Sequence, residues 1–334
     1  MRVVGEIAGE AGIDPARPRV PTFGRRLYNL PIKKLLQRKP DGPVALKARA
    51  LNAGHVDEPL AETFKESFES WRAAFSKQRF GGIVVDYDGT VCSTGERFEL
   101  PRESMQSAIL RVIEGGLRVG FATGRGRSIH KDLRAWVPAQ LWPAIYLGLY
   151  NGAIRLKLSE TLPDLYTPSA LMTEIAERLA GSPFASLMHI EVRAGQVTIQ
   201  AESDTFFHDL SLARMVRDLL NEEPAIAAKV VSSGHSVDVL APDTTKVTVL
   251  RELEASCGRP VLVIGDQGQS GGNDFELLAA TQWSLSVDRC SADPTRCWSI
   301  GRSGRRGPAV LEEVLTRLKI NNGTARLAVP PEKA

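Results

Sequence analysis

Ile83-Val84-Val85-Asp86-Tyr87-Asp88-Gly89-Thr90 is the stretch on which the reading of this chain turns. A short β-branched run closed by Gly reads as a buried parallel strand, here one that delivers two carboxylates to its C-terminal end. Side chains alternate along a strand, so Asp86 and Asp88 can face one pocket together. Gly89 lets the backbone turn sharply behind them. Two acids this close repel each other unless a cation or a shared proton relieves them. Taken alone, the run also fits an acidic turn with no chemistry, because Asp and Gly fill turns readily.

Three further segments tip that balance. Val119-Gly120-Phe121-Ala122-Thr123-Gly124-Arg125 is a second apolar strand that ends in a hydroxyl and a Gly. Asp243-Thr244-Thr245-Lys246 places an ammonium at the head of a helix. Val261-Leu262-Val263-Ile264-Gly265-Asp266 is a third buried strand ending in a carboxylate, followed by Gly271-Gly272-Asn273-Asp274. Each piece has a part in phosphoryl transfer. A carboxylate can accept the phosphoryl group and so split one hard displacement into two easier ones. A neighbouring carboxyl can protonate the leaving alkoxide and later deprotonate the attacking water. A hydroxyl and free N–H groups can hold phosphoryl oxygens while a Lys neutralises developing charge. Hard carboxylate oxygens suit Mg²⁺.

The four segments, in this order, resemble the haloacid dehalogenase superfamily of phosphohydrolases, over roughly Gly81 to Leu318. The resemblance implies Asp86 as nucleophile and Asp88 as general acid/base, with the backbone carbonyl of Asp88 touching the metal. It implies Thr123, Gly124 and Lys246 as phosphate-binding groups. Asp266 would ligate Mg²⁺ together with Asp86 and Asp88, and Asn273 and Asp274 would support the metal site. One departure is Val247, where related families often place Gly after the Lys.

Spacing narrows the subclass. Between the first motif and the second strand there is room for one helix, Arg102 to Glu114, with Met105, Ile109, Leu110 and Ile113 on one face. The long interval lies instead between Tyr150-Asn151-Gly152 and the third motif. Its rhythm is helix (171–179), hairpin (189–192 and 197–200), helix (210–220) and hairpin (229–231 and 237–240). Such a twofold unit makes a small sheet with helices on one face, a lid rather than a second catalytic core. It is similar to the C2B-type cap of the subfamily IIB branch, which includes Cof-type and sugar-phosphate phosphatases and the phosphomannomutases. The predicted architecture is therefore α/β: a Rossmann-like parallel sheet (81–150 and 241–320) with strands near 83–86, 117–122, 144–148, 261–265 and 283–287. An α+β cap (151–240) is inserted into it. Open sheets of this kind bind ligands at the C-terminal strand ends, where every motif falls.

Composition sets bounds. No stretch approaches the roughly eighteen consecutive apolar residues of a membrane span, and Met1-Arg2 is not followed by a secretory h-region. Cys92, Cys257, Cys290 and Cys297 lack metal-type pairing and read as reduced thiols, which gives a cytoplasmic expectation. Before Gly81 there are fifteen Lys/Arg against nine Asp/Glu, an excess of six in a chain whose total is +3. The clusters Arg25-Arg26, Lys33-Lys34 and Arg38-Lys39 could attract an acidic partner. They equally suit a solvated arm, and sparse aromatics argue against nucleic acid. Residues 1–56 are rich in Pro and Gly and are expected to be extended or partly ordered. Residues 57–80 change pattern: Leu60, Phe64, Phe68, Trp71 and Phe75 form one apolar stripe, to be buried on the chain's own core or on a protein partner or second copy. Residues 321–334 are expected to form a flexible tail.

Several residues have two readings. His130 is more simply a packing residue than a base. Arg125 and Arg127 can reach phosphate or merely pair with nearby acids. Gly301 to Gly307 resembles a phosphate cradle but lacks the Walker Lys-Ser/Thr, so it reads as a loop into a helix at Pro308. Arg125, together with Arg193 and Arg214 from the cap, are the candidate substrate contacts. The activity expected is Mg²⁺-dependent hydrolysis of a small phosphorylated metabolite, a sugar phosphate foremost. A phosphosugar mutase and a non-catalytic phosphate-binding regulator are the alternatives.

Overall fold

The computed structural model describes residues 42–51, 58–163, 167–202, 209–222, 224–302 and 304–331, which lie within one compact unit. The basic clusters of the leader and Asp57 lie outside them. Two helices come first, α1 (Pro43–Arg49) and α2 (Glu58–Lys77). They lead into β1 (Gly82–Val85), α3 (Glu103–Glu114), β2 (Arg118–Ala122), α4 (Ser128–Trp136), β3 (Ile145–Leu149) and β4 (Ile154–Lys157). The cap follows as α5 (Ala170–Ala180), β5 (Met188–Arg193), β6 (Gln196–Ala201), α6 (Asp209–Asn221), β7 (Lys229–Ser232) and β8 (Val237–Leu240). The chain returns to the core through α7 (Val247–Cys257), β9 (Val261–Gln267), α8 (Phe275–Ala279), β10 (Ser284–Arg289), α9 (Pro308–Arg317), β11 (Lys319–Asn321) and β12 (Thr324–Arg326).

The central sheet runs β10-β9-β1-β2-β3-β4, with every pair parallel except the last. Alternation along β1 explains its two-sided burial. Ile83 and Val85 join the cluster that includes Met105, Ile109 and Leu311, while Val84 faces Val249, Leu250 and Leu253 of α7. In the cap, the antiparallel sheet β5-β6-β8-β7 turns Val197, Ile199, Val237 and Val239 toward α5 and α6, forming a separate apolar cluster. The predicted sequence of cap helices and hairpins is thus present.

Three boundaries differ from the sequence reading. First, residues 43–49, expected within an extended leader, form α1. Pro43 stands where a helix needs no N–H, and Lys47 is buried, donating from Nζ to the Arg296 and Cys297 carbonyls at 2.6 and 2.8 Å. Second, 154–157 belong to the core sheet as β4 rather than to the cap, because Ile154 and Leu156 alternate into the core. Third, the tail from 321 is ordered as far as the description reaches: β11 and β12 pair, Ala325 bridges Phe80, and Leu327 and Val329 are buried.

The stripe on α2 packs on the chain's own core, one of the two outcomes expected for it. Phe64, Phe68, Trp71 and Phe75 are all buried. Trp298 packs 5.0 Å from Phe68, and Phe80 lies 5.4 Å from Phe75, centroid to centroid. The indole of Trp71 donates to the Gln282 carbonyl at 2.9 Å, as a buried Trp requires. These four side chains are thus covered by the chain itself. Trp71→Ala is expected to lower stability by about 3–5 kcal/mol. Urea unfolding followed by far-UV circular dichroism measures this, and a loss below about 1 kcal/mol would contradict burial of the stripe.

Candidate active site

Four chain segments meet at the C-terminal edge of the central sheet. Asp86 leaves β1, Thr123 leaves β2, Asp266 lies within the last residues of β9, and Lys246 immediately precedes α7. All four side chains are buried. The Lys246 ammonium donates to Asp86 Oδ1 and to Asp274 Oδ1, each at 2.6 Å. The other oxygen of Asp274 accepts the backbone N–H groups of Asp266 and Gln267, both at 3.1 Å. Asp274 thus has both oxygens occupied and works as a brace: it fixes the Lys and the exit of β9 together. Gly89 has φ of 82°, and a Cβ there would overlap the Asp266 carboxylate. Only Gly permits that close approach.

The chemistry of the donor set fits a hard divalent cation. Asp86, Asp266 and Asp274 can bring ligand atoms within 4.8 Å of one another. Asp86 Oδ2 and Asp266 Oδ1 are buried with no hydrogen-bond partner, a state that a low-dielectric interior tolerates poorly. Gln267, which sequence reasoning missed, donates to Asp266 Oδ2 at 2.6 Å and leaves Oδ1 free. Asp88 does not join this cluster through its side chain. Its carboxylate is turned to Arg125, with 2.9 Å from Nε to Oδ2 and 2.8 Å from NH2 to Oδ1. Only its backbone carbonyl is left for the metal role assigned to it.

Burial sets the protonation of the acids. It pushes Asp86 up to about 7, with Asp274 adding to the rise and Lys246 opposing it. It pushes Asp266 up to about 9, reinforced by Asp274 and Asp86. Burial alone would lower Lys246, but the carboxylates of Asp274 and Asp86 hold it well above the ordinary lysine value.

The cap closes over this edge. A cavity of about 640 Å³ is lined by Asp86, Asp88 and Thr123 from the core and by Glu191, Arg193, Gln196, Thr198 and Gln200 from the cap sheet. The polar face of β5 and β6 is the one opposite Val197 and Ile199, so a period of two sends apolar residues to the cap helices and polar ones to the cavity. Phe98 stands at the mouth, 87% exposed. Asn273 lines the cavity too, and its N–H donates to the Ser232 carbonyl at 3.0 Å, tying the fourth motif to the end of β7.

A second junction joins cap to core beside Thr123. Asn151, at a positive φ of 56°, donates to Gln196 Oε1 at 2.8 Å and to Asp238 Oδ2 at 3.3 Å. Gln196 donates in turn to the Gly124 carbonyl at 3.3 Å. Burial lifts Asp238 to about 6. Of this cluster the sequence signalled only the Tyr150-Asn151-Gly152 turn.

The remaining expected residues divide. Arg193 reaches the cavity and is ion-paired with Glu191. Arg214 does not: it lines a separate surface depression on α6 with Phe184 and Glu222. A residue on the helix-covered side of the cap sheet cannot meet a substrate on the other side. His130 is a packing residue bonded to the Glu160 carbonyl at 2.9 Å. Around the 301–307 loop, Arg302 and Arg305 pair with Glu313, and Arg306 pairs with Asp288. Its Gly307 instead backs onto the first motif, where a Cβ would come within 2.7 Å of the Gly89 carbonyl oxygen.

No protein-family profile matches the sequence, and no curated protein matches it. Among solved structures, a Streptococcus mutans protein is similar with a TM-score of 0.52 at 14% identity, over 71% of this chain and 98% of that one. N-terminally truncated IMP-nucleotidase of Plasmodium falciparum is similar with a TM-score of 0.51 at 13% identity, over 86% of this chain and 82% of that one. At such identities the likeness speaks for the fold.

The raised acids link metal binding to pH. Carboxylates raised from 3.8 to about 7 and about 9 favour the fold at low pH, and that contribution is lost as pH rises through those values. A divalent cation must displace the Asp266 proton, so its affinity climbs toward pH 9. The rise in melting temperature caused by Mg²⁺ is expected to be larger at pH 8.5 than at pH 6, by scanning calorimetry. An equal or smaller rise at pH 8.5 would contradict the assignment of Asp266 and Asp86 as the cation's ligands.

Proposed function

We propose that this chain, whose fold is that of the haloacid dehalogenase superfamily, is a Mg²⁺-dependent phosphatase acting on a small phosphorylated, polyhydroxylated metabolite. The observation that carries the reading is the state of Asp86. One of its oxygens is held by Lys246, and the other is buried without a hydrogen-bond partner at the cavity floor. An acid so fixed is a nucleophile with one oxygen available.

The residues divide the work. Asp86 attacks phosphorus and forms an aspartyl phosphate as the ester oxygen departs. Asp88 supplies the proton to that oxygen and later takes one from the attacking water. Thr123 Oγ1 already accepts the Arg125 N–H at 3.0 Å, so its own hydroxyl proton is free to donate to a phosphoryl oxygen. Lys246 has spent two protons on Asp86 and Asp274 and keeps a third for the phosphoryl group. Asp86 and Asp266 would hold Mg²⁺, which when bound neutralises phosphoryl charge.

The leaving-group side of the cavity supports a hydroxyl-rich substrate. Glu191, Gln196, Thr198 and Gln200 offer hydrogen bonds there, and Phe98 and Tyr150 are its two aromatic contributions. Closure of the cap over this edge would exclude water from the first step.

Phosphate release across a panel of hexose, pentose, disaccharide and nucleoside phosphates tests the proposal. Mg²⁺-dependent release concentrated on sugar phosphates is expected. Asp86→Asn should lower it at least about a thousandfold while the protein stays folded. Release that is indifferent to Mg²⁺, or retained in that variant, would refute the proposal.

A further inference from the structure

Arg125 follows Thr123-Gly124, where a phosphate contact would be expected, yet its guanidinium is committed elsewhere. Its backbone is fixed on both sides, by the N–H bond to Thr123 Oγ1 at 3.0 Å and by Tyr150, whose N–H donates to the Arg125 carbonyl at 2.8 Å. The side chain is 13% exposed. Nε donates to Asp88 Oδ2 at 2.9 Å, and the neighbouring Nη2 stands 2.8 Å from Oδ1 as an ion-pair contact outside hydrogen-bond geometry. NH1 lies 3.8 Å from Asp132 Oδ2 on α4, and the flat face stands 5.1 Å from the centroid of the Tyr87 ring. Two acids and a ring surround this cation.

We infer that Arg125 is the positioning residue for Asp88: its guanidinium holds the acid on the cavity wall, apart from the buried group formed by Asp86, Lys246 and Asp274. The inference rests on the phosphatase reading above and assigns Arg125 a different role from a substrate contact. Asp86 and Asp88 are two residues apart on one strand exit, and without separate cations they would repel or share a proton. Here each has its own: Lys246 for Asp86 and Arg125 for Asp88. A planar guanidinium set edge-on against a carboxylate fixes its orientation as well as its place, which a lysine's point charge cannot do.

The chemical consequence lies in the first step. As the bond from Asp86 to phosphorus forms, the phosphorus–ester bond breaks, and the ester oxygen leaves with the electron pair and takes a proton that Asp88 has drawn from solvent before the step, an uptake that Arg125 opposes and a transfer that it favours. Asp88 becomes a carboxylate beside a fixed guanidinium, which stabilises the ion where it is made. Removing the guanidinium leaves that half-buried acid without its cation and free to turn.

The test compares kcat/KM, which reports steps through departure of the leaving group, for a hexose phosphate and for p-nitrophenyl phosphate. The hexose alkoxide needs a proton to leave and p-nitrophenolate does not. Arg125→Met is expected to lower kcat/KM about 100-fold for the hexose phosphate and about threefold or less for p-nitrophenyl phosphate. Asp88→Asn should show the same split, and the double variant should be no worse than Asp88→Asn alone. Turnover of p-nitrophenyl phosphate reports that the variant is folded. If Arg125→Met does not fold, Arg125→Lys carries the comparison with the same split. Equal losses on both substrates, or losses that multiply in the double variant, would overturn the inference and leave the phosphatase reading standing. A wild-type protein that hydrolyses neither ester overturns that reading and the inference with it.

Discussion

One buried ammonium, Lys246, is the interaction on which the rest of the site depends. It joins Asp86 at the end of β1 to Asp274 beyond the end of β9, and Asp274 in turn holds the backbone at Asp266. A buried ion pair contributes little net stability, but removing one partner leaves a buried charge uncompensated and costs several kcal/mol. Lys246 therefore fixes the relative placement of three chain segments more than it stabilises the fold. It also leaves the account of charge unequal. Asp86, Asp266 and Asp274 face one cation of the chain's own, and burial resists ionising them all. A hard divalent cation held by these acids would relieve both strains at once.

The cap extends the same logic to the substrate. Its sheet is built with the ordinary period of two, so one face is fixed by the need to bury Val197, Ile199, Val237 and Val239. The opposite face is then free to be polar, and it is the face turned to the cavity. The Asn151, Gln196 and Asp238 cluster sets this face directly against Gly124, the neighbour of Thr123. On the proposed reading, recognition of the leaving group and grip on the phosphate would be joined through these hydrogen bonds.

Much of this was legible in the sequence because charges stand at the ends of apolar runs. Asp86, Thr123 and Asp266 each close a β-branched or apolar stretch, and such stretches are placed in a sheet by their short length, β-branched content and flanking Gly. The order of cap elements was legible for the same reason. What sequence could not supply is pairing across distance. Asn151 meets Asp238 because the cap sheet lies against the core, and Arg125 turns to Asp88 because β1 and β2 end side by side. Local composition also misled. Pro and Gly around 42–49 hid a short helix whose stability comes from Lys47 and the carbonyls of a loop far along the chain. The polar, Gly-containing run at 319–326 hid a hairpin that pairs with Phe80. Arg214 was drawn in by its charge alone, while the face it occupies was set by the apolar residues around it.

The proposed chemistry passes through a phosphorylated carboxylate, and that species can be caught. The most direct measurement is mass spectrometry of enzyme quenched in acid during steady turnover of a sugar phosphate, followed by peptide mapping. A phosphoryl group on the peptide carrying Asp86, formed only with Mg²⁺ present, is the expected result. Turnover with no phosphorylated peptide, or with the phosphoryl group on a different side chain, would contradict Asp86 as the nucleophile and with it the reading of the whole site.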